Sequence, residues 1–146
     1  MLPVRRYTKT VTIGSTKIGG TEPIRIQSML TCNTTDVDAC IKEIIRLDKV
    51  DCEIIRLTVP NQKSVDSMPL IREGMRERGI ERPIVADVHF NPNLALNVCE
   101  FVDKVRINPG NYADSKKFEV REYSDIQYQE ELDRIEQKLI PLIKNL

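Results

Sequence analysis

The sequence predicts an α/β protein, the first half of a TIM (β/α)8 barrel with about four βα units and an N-terminal β-hairpin cap. Three observations carry that prediction. First, four short Val/Ile-rich segments, PIRIQSM, EIIRLTVP, PIVADVHF and DKVRINPGN, recur about every 20 to 30 residues, the spacing of successive βα units. Second, helix-like stretches lie between them. Third, each segment carries a polar pair spaced two apart: Arg25 and Gln27, Arg56 and Thr58, Asp87 and His89, Arg106 and Asn108. Strand side chains alternate, so each pair shares one face while Ile26, Leu57, Val88 and Ile107 point to the other. A polar face on a buried strand is costly unless it lines a solvated or ligand-filled cavity. Four such faces predict one shared cavity, on the rim where barrel strands end.

Taken in order, Val11 to Gly20 reads as two short strands around a Gly-Ser turn, the hairpin cap. The first buried strand is expected from Ile24 to Met29. Capping side chains from Asn33 to Asp36 then start a helix through Ile41, Ile44, Ile45 and Leu47. A second strand runs from Cys52 to Val59 and stops at Pro60. The next helix, from Ser64 to Arg78, closes at Gly79. Ile84 to Val88 form the third strand, Asn91-Pro92 break it, and Leu94 to Phe101 give a short helix. The fourth strand, Lys104 to Ile107, ends at Pro109-Gly110. A polar passage from Tyr112 to Tyr123 leads to a last helix from Ser124 to Leu146, opened by a Ser124/Gln127 capping box. Tyr128, Leu132, Ile135, Leu139 and Leu142 make one apolar stripe on it, with Pro141 expected to bend its end.

Composition narrows the class. The chain has 146 residues, 40% hydrophobic, with 22 lysines and arginines against 22 aspartates and glutamates. That suits one globular domain and lacks the basic field of a nucleic-acid binder. No apolar run reaches a membrane span, and MLPVRRYTKT lacks a secretory core, so a cytoplasmic protein, or one of a plastid-type organelle, is expected. Cys32, Cys40, Cys52 and Cys99 form no C-x-x-C pair and read as reduced, with no metal site of their own. The stretch from Cys32 to Cys40 reads as loop and helix core. An open four-stranded parallel sheet leaves edges to be covered, so the rest of a longer protein or a second copy, a homodimer, is expected there.

The arginines are the sharpest chemical signal. A guanidinium on the inner face of a strand needs an anion, and its fork suits phosphate or carboxylate. The alternative for Arg56 and Arg106 is an internal ion pair with Asp87 or a neighbouring acid. His89, two residues after Asp87, is placed to donate to phosphate or to move a proton, with the carboxylate orienting its ring or holding a ligand hydroxyl. Asn108 and Asn111 bracket a Pro-Gly backbone that a ligand can approach closely.

IGGTEPIRIQSM, EIIRLTVPN, PIVADVHF and VDKVRINPGN together resemble the N-terminal domain of the 4-hydroxy-3-methylbut-2-enyl diphosphate synthase family, from about Arg5 to Asn111. The stretch after Tyr112 resembles that of the longer form of the family. The resemblance implies a TIM barrel that binds 2-C-methyl-D-erythritol 2,4-cyclodiphosphate and a separate C-terminal domain with a 4Fe-4S cluster, in isoprenoid precursor biosynthesis by the non-mevalonate route. It implies reductive ring opening and loss of a hydroxyl, with ferredoxin or flavodoxin as electron donor. Carried over, Arg56, Arg106 and Asn111 fall on diphosphate-binding places, and Asp87, His89 and Asn108 on the polar floor of the same pocket. Residues 1–146 are then the N-terminal portion of the barrel. The second barrel half, the inserted domain and the cluster ligands are expected off this chain, which alone should be inactive. Two other readings remain: another phosphate-binding barrel, dihydropteroate-synthase-like, and an inactive half-barrel that self-associates.

Overall fold

The computed structural model describes residues 6–113 and 122–145. Most of the expected polar passage, and Leu146, lie outside the described residues. The chain opens with an antiparallel hairpin, β1 (Val11–Ile13) and β2 (Thr16–Ile18). Four parallel strands follow, β3 (Gln27–Met29), β4 (Ile54–Thr58), β5 (Ile84–Val88) and β6 (Lys104–Ile107), hydrogen-bonded in chain order. Between them run α1 (Val37–Asp48), α2 (Gln62–Arg76) and α3 (Pro92–Val98), the last continued by a 3-10 turn at Cys99–Phe101. A one-turn α4 (Pro109–Tyr112) and a long α5 (Asp125–Asn145) complete the described elements. Consecutive parallel neighbours joined by helices are the arc of a barrel, as the recurrence of strand segments predicts.

Alternation along the strands separates two environments. Ile55 and Leu57 on β4, Val59 just after it, and Ile84, Ala86 and Val88 on β5 face the helices, and join Ile41, Ile44, Val65, Met68, Ile71, Leu94, Ala95 and Val98 in the main core. On the other face, Ile54 and Val85 pack with Ile13 and Ile18 of the hairpin. The hairpin therefore plugs the N-terminal end of the inner face. Its turn abuts the feet of β5 and β6: a Cβ on Gly14, at φ +52°, would lie 2.7 Å from Asp103 Oδ1 and 3.4 Å from Pro83 Cβ. Glycine is required there on both counts.

Several boundaries depart from the sequence reading. The first strand is not buried, since its ladder covers only Gln27–Met29 and Ile24 is 88% exposed. Among the described residues β3 has a neighbour on one side alone, so its other edge has no strand to pair with there. Asn91 and Pro92 start α3 as well as ending β5, because Asn91 caps the Asn93 and Leu94 amides and Pro92 takes the first helical position. Pro109 likewise opens α4, which Asn108 caps. The second helix ends at Arg76, and Gly79 turns the chain three residues later at φ +65°. Helix α5 continues through Pro141 without a break. Its stripe divides, with Leu142 buried and Leu139 packed on the core while Tyr128 and Leu132 stay exposed.

Candidate active site

Register places the polar pairs in layers on the inner face. Arg56 is level with Val85 and Lys104, and Thr58 with Asp87 and Arg106. The hairpin seals Ile54 and Val85 on this face, so the Arg56 layer is part apolar and part charged, while Asp87 and Arg106 lie in the layer above it. Three of the four expected pairs thus converge at the C-terminal ends of β4, β5 and β6.

Asp87 is the centre of the cluster. It is 3% exposed, and its carboxylate accepts from Arg56 Nη2 on one oxygen and from Arg106 Nη1, at 2.9 Å, on the other. Burial drives its pKa upward, but the hydrogen bonds from Arg56 and Arg106 outweigh that and leave the carboxyl below its ordinary value. The internal ion pair weighed as the alternative for these arginines is therefore what the chain forms on its own. It does not neutralise them: two guanidiniums share one carboxylate, so the cluster keeps a net positive charge. Arg56 Nε is buried and has no hydrogen-bond partner. That N–H is a donor still to be satisfied.

His89 Nε2 lies 2.8 Å from Arg106 Nη1 and 3.3 Å from Asp87 Oδ1. An arginine N–H can only donate, so a hydrogen bond to Arg106 uses the Nε2 lone pair, whereas one to Asp87 needs a proton on Nε2. His89 is partly exposed and is followed by Phe90 at φ +60°, which turns the chain into the Asn91 cap.

The remaining expected site residues separate. Asn108 Oδ1 accepts from Gly110 N at 3.0 Å and so holds the β6–α4 turn. Asn111 follows on that turn, its amide donating to Asn108 O at 3.0 Å and its Oδ1 buried without a partner. Gln27 is exposed on β3, level with Ile54 and below the charged layers. Arg25 is not in the cluster. It precedes β3 at the hairpin end, where it donates to Lys17 O at 2.9 Å and pairs with Glu53 at 2.7 Å and Glu22 at 3.4 Å. Alternation gave its face but not its height on the sheet, and two acids at the foot of the strands satisfy it there.

Lys104 escaped the sequence reading. It shares the inner face with Arg106 and makes no ion pair among the described residues. The signal was present, since Lys104, Arg106 and Asn108 alternate in DKVRINPGN. Among the described residues no group of three or more His, Cys, Asp or Glu side chains is placed to hold a metal ion, so they do not fit a 4Fe-4S cluster. No described helix is long and apolar enough to cross a membrane.

Comparison with known proteins bears on the family and the fold. The model of the GcpE TIM-barrel domain matches residues 8–132. The chain is 49% identical over 139 residues to the 4-hydroxy-3-methylbut-2-en-1-yl diphosphate synthase (flavodoxin) of Leptospira interrogans, covering 95% of this chain and 21% of that protein. It is 50% identical over 139 residues to the protein of the same name from Akkermansia muciniphila, covering 95% and 24%. The chloroplastic, ferredoxin form from Arabidopsis thaliana is 41% identical over 142 residues, covering 97% and 19%. The chain thus spans about a fifth of the length of these curated relatives.

Proposed function

The chain belongs to the GcpE TIM-barrel family, and on that footing we propose that its inner face supplies part of a diphosphate site in a 4-hydroxy-3-methylbut-2-enyl diphosphate synthase. The reaction is the reductive ring opening and dehydroxylation of 2-C-methyl-D-erythritol 2,4-cyclodiphosphate in isoprenoid precursor biosynthesis. One observation carries the reading: two arginines are held by a single buried carboxylate at the strand ends, leaving a preorganised positive charge on an open face. Preorganised donors lose little freedom when the anion arrives, which favours binding.

In this reading Arg56 and Arg106 donate to the diphosphate, and Asp87 acts on the substrate only by fixing their orientation. The unpartnered Arg56 N–H and the exposed edge of Arg106 are the available donors. His89 offers Nδ1–H to a phosphate oxygen while Arg106 engages its Nε2, and it becomes a proton donor to the leaving oxygen only if protonated. Asn108 sets the turn that brings Asn111 to the rim. Gln27 lies too low on the sheet to join them without a long ligand. A 4Fe-4S cluster would supply the two electrons, drawn from a flavodoxin or ferredoxin like those in the relatives' names. The described residues do not hold that cluster, so their part is to bind, orient and protonate.

The test is binding of the cyclic diphosphate to the whole protein by calorimetry. Charge-assisted hydrogen bonds contribute about 1.5 to 3 kcal/mol, so Arg56→Met and Arg106→Met should each weaken binding about 10- to 150-fold. Unchanged affinity in both variants would remove the diphosphate reading.

A further inference from the structure

Two of the four cysteines meet beside the candidate site. Cys32 lies in the loop after β3 and Cys40 in the first turn of α1, and their sulfurs are 3.5 Å apart. Cys40 is fully buried, whereas Cys32 is partly exposed. The other two thiols are engaged differently, Cys52 with Ile54 O at 3.3 Å and Cys99 with Ala95 O at 3.0 Å.

The residues between the paired cysteines are tied to the charged cluster. Thr34, buried, donates its hydroxyl to Thr58 O at 2.6 Å, and the next amide, Val59 N, donates to Asp87 O at 2.9 Å. Cys40 Sγ also lies 3.6 Å from Asn33 O, so the loop is folded back over the helix start. A covalent link from Cys32 to Cys40 would close a short ring that carries Thr34.

We propose that Cys32 and Cys40 form a reversible disulfide by exchange with a small-molecule disulfide of the glutathione class, locking the β3–α1 loop at the rim of the site. The Cys32 thiolate attacks one sulfur of the oxidised donor, forming a mixed disulfide and releasing one thiol. Cys40 then loses its proton, attacks Cys32 Sγ and expels the second donor thiol. The protein loses two hydrogens and the donor gains them, so electrons and protons balance. A disulfide needs sulfurs about 2.05 Å apart, so the pair must close by roughly 1.5 Å, within reach of side-chain rotation and a small loop shift. Exposure decides the order of attack, since a donor reaches Cys32 and not Cys40. Burial pushes the Cys40 thiol up to about 12, aided by Cys32 and the nearby Asp36 and Glu43, and raises Cys32 as well. Both therefore rest as thiols at neutral pH, and exchange is slow until an oxidising pool persists.

The experiment equilibrates the purified protein with graded ratios of reduced to oxidised glutathione, alkylates the free thiols, and maps peptides by mass without reduction. The expected result is that, of the four cysteines in this sequence, Cys32 and Cys40 lose their free thiols and appear linked to each other while Cys52 and Cys99 stay alkylated, with full recovery on adding dithiothreitol. Cys40→Ser should instead trap glutathione on Cys32. Free Cys32 and Cys40 thiols at every ratio, a link from either of them to another cysteine, or glutathione that stays on Cys32 in the unmutated protein would each overturn the proposal. The unmutated protein gives the deciding result, so the answer does not depend on how Cys40→Ser folds.

Discussion

At the scale of single residues, the site is decided by one carboxylate. Asp87 draws Arg56 and Arg106 together and stays ionised because they donate to it. Its folded pKa lies below the ordinary value near 3.8, so its contribution to stability is complete above that value and is lost as pH falls through the folded pKa. Asp87→Asn should lower stability by about 1 to 3 kcal/mol at neutral pH, where hydrogen bonds to a charged group are lost. The gap between variant and parent should close in strong acid, as denaturant melts across pH would show. A gap that persists below the folded pKa would mean that the carboxylate is not what holds the arginines. His89 separates two roles in the same way: His89→Asn should preserve substrate affinity and abolish turnover if the imidazole delivers a proton, and weaken affinity if it is a phosphate contact. Arg25→Met is a contrasting case. Its partners are partly solvated, so the loss should be at most about 1 kcal/mol of stability, with far less effect on anion binding than Arg56→Met.

At the scale of elements, the helices owe their starts to local side chains and their placement to close contact. Asp36 and Asn61 accept from the amides of Ala39 and Ser64 and so cap α1 and α2. Replacing either with alanine should cost about 0.5 to 2 kcal/mol. Between these helices Gly74 allows close approach, since a Cβ there would come within 2.7 Å of Ile41 Cδ1. Gly74→Ala gains about 1 kcal/mol of helix propensity but overpacks the contact, which costs about 1 to 3 kcal/mol. The expected sign is a lower melting temperature, restored in part by adding Ile41→Val. A stabilised Gly74→Ala protein would show that Ile41 turns aside freely. Element type was legible wherever spacing or capping chemistry repeats, as in the exact match of Ile84–Val88 and Lys104–Ile107, or the Ser124/Gln127 box, in which each residue's side chain accepts the other's amide at 3.0 and 3.4 Å. It was not legible at Asn91-Pro92 and Pro109, because the same residues end a strand and open a helix.

At the scale of the whole molecule, the described arc leaves apolar surface uncovered at Ile24 and Ile26 before β3, at Met29 on it, and along α5, at Ile126, Tyr128, Leu132 and Ile143. These residues as an isolated chain are expected to self-associate, with an apparent mass in sedimentation that rises with concentration. A strict monomer at all concentrations would mean that these faces fold against one another. The sequence by itself determined the alternation of strands and helices, the face on which each polar pair lies, and the chemical character of that face, because period and residue type are local properties of the chain. Only the tertiary structure decided the height of each pair on the sheet. Register and the hairpin plug put Arg56, Asp87, His89 and Arg106 together at one rim and left Arg25 with Glu53 at the other end. It also decided that Cys32 meets Cys40, since a contact between a loop and a helix turn depends on how the chain folds back and leaves no period to read.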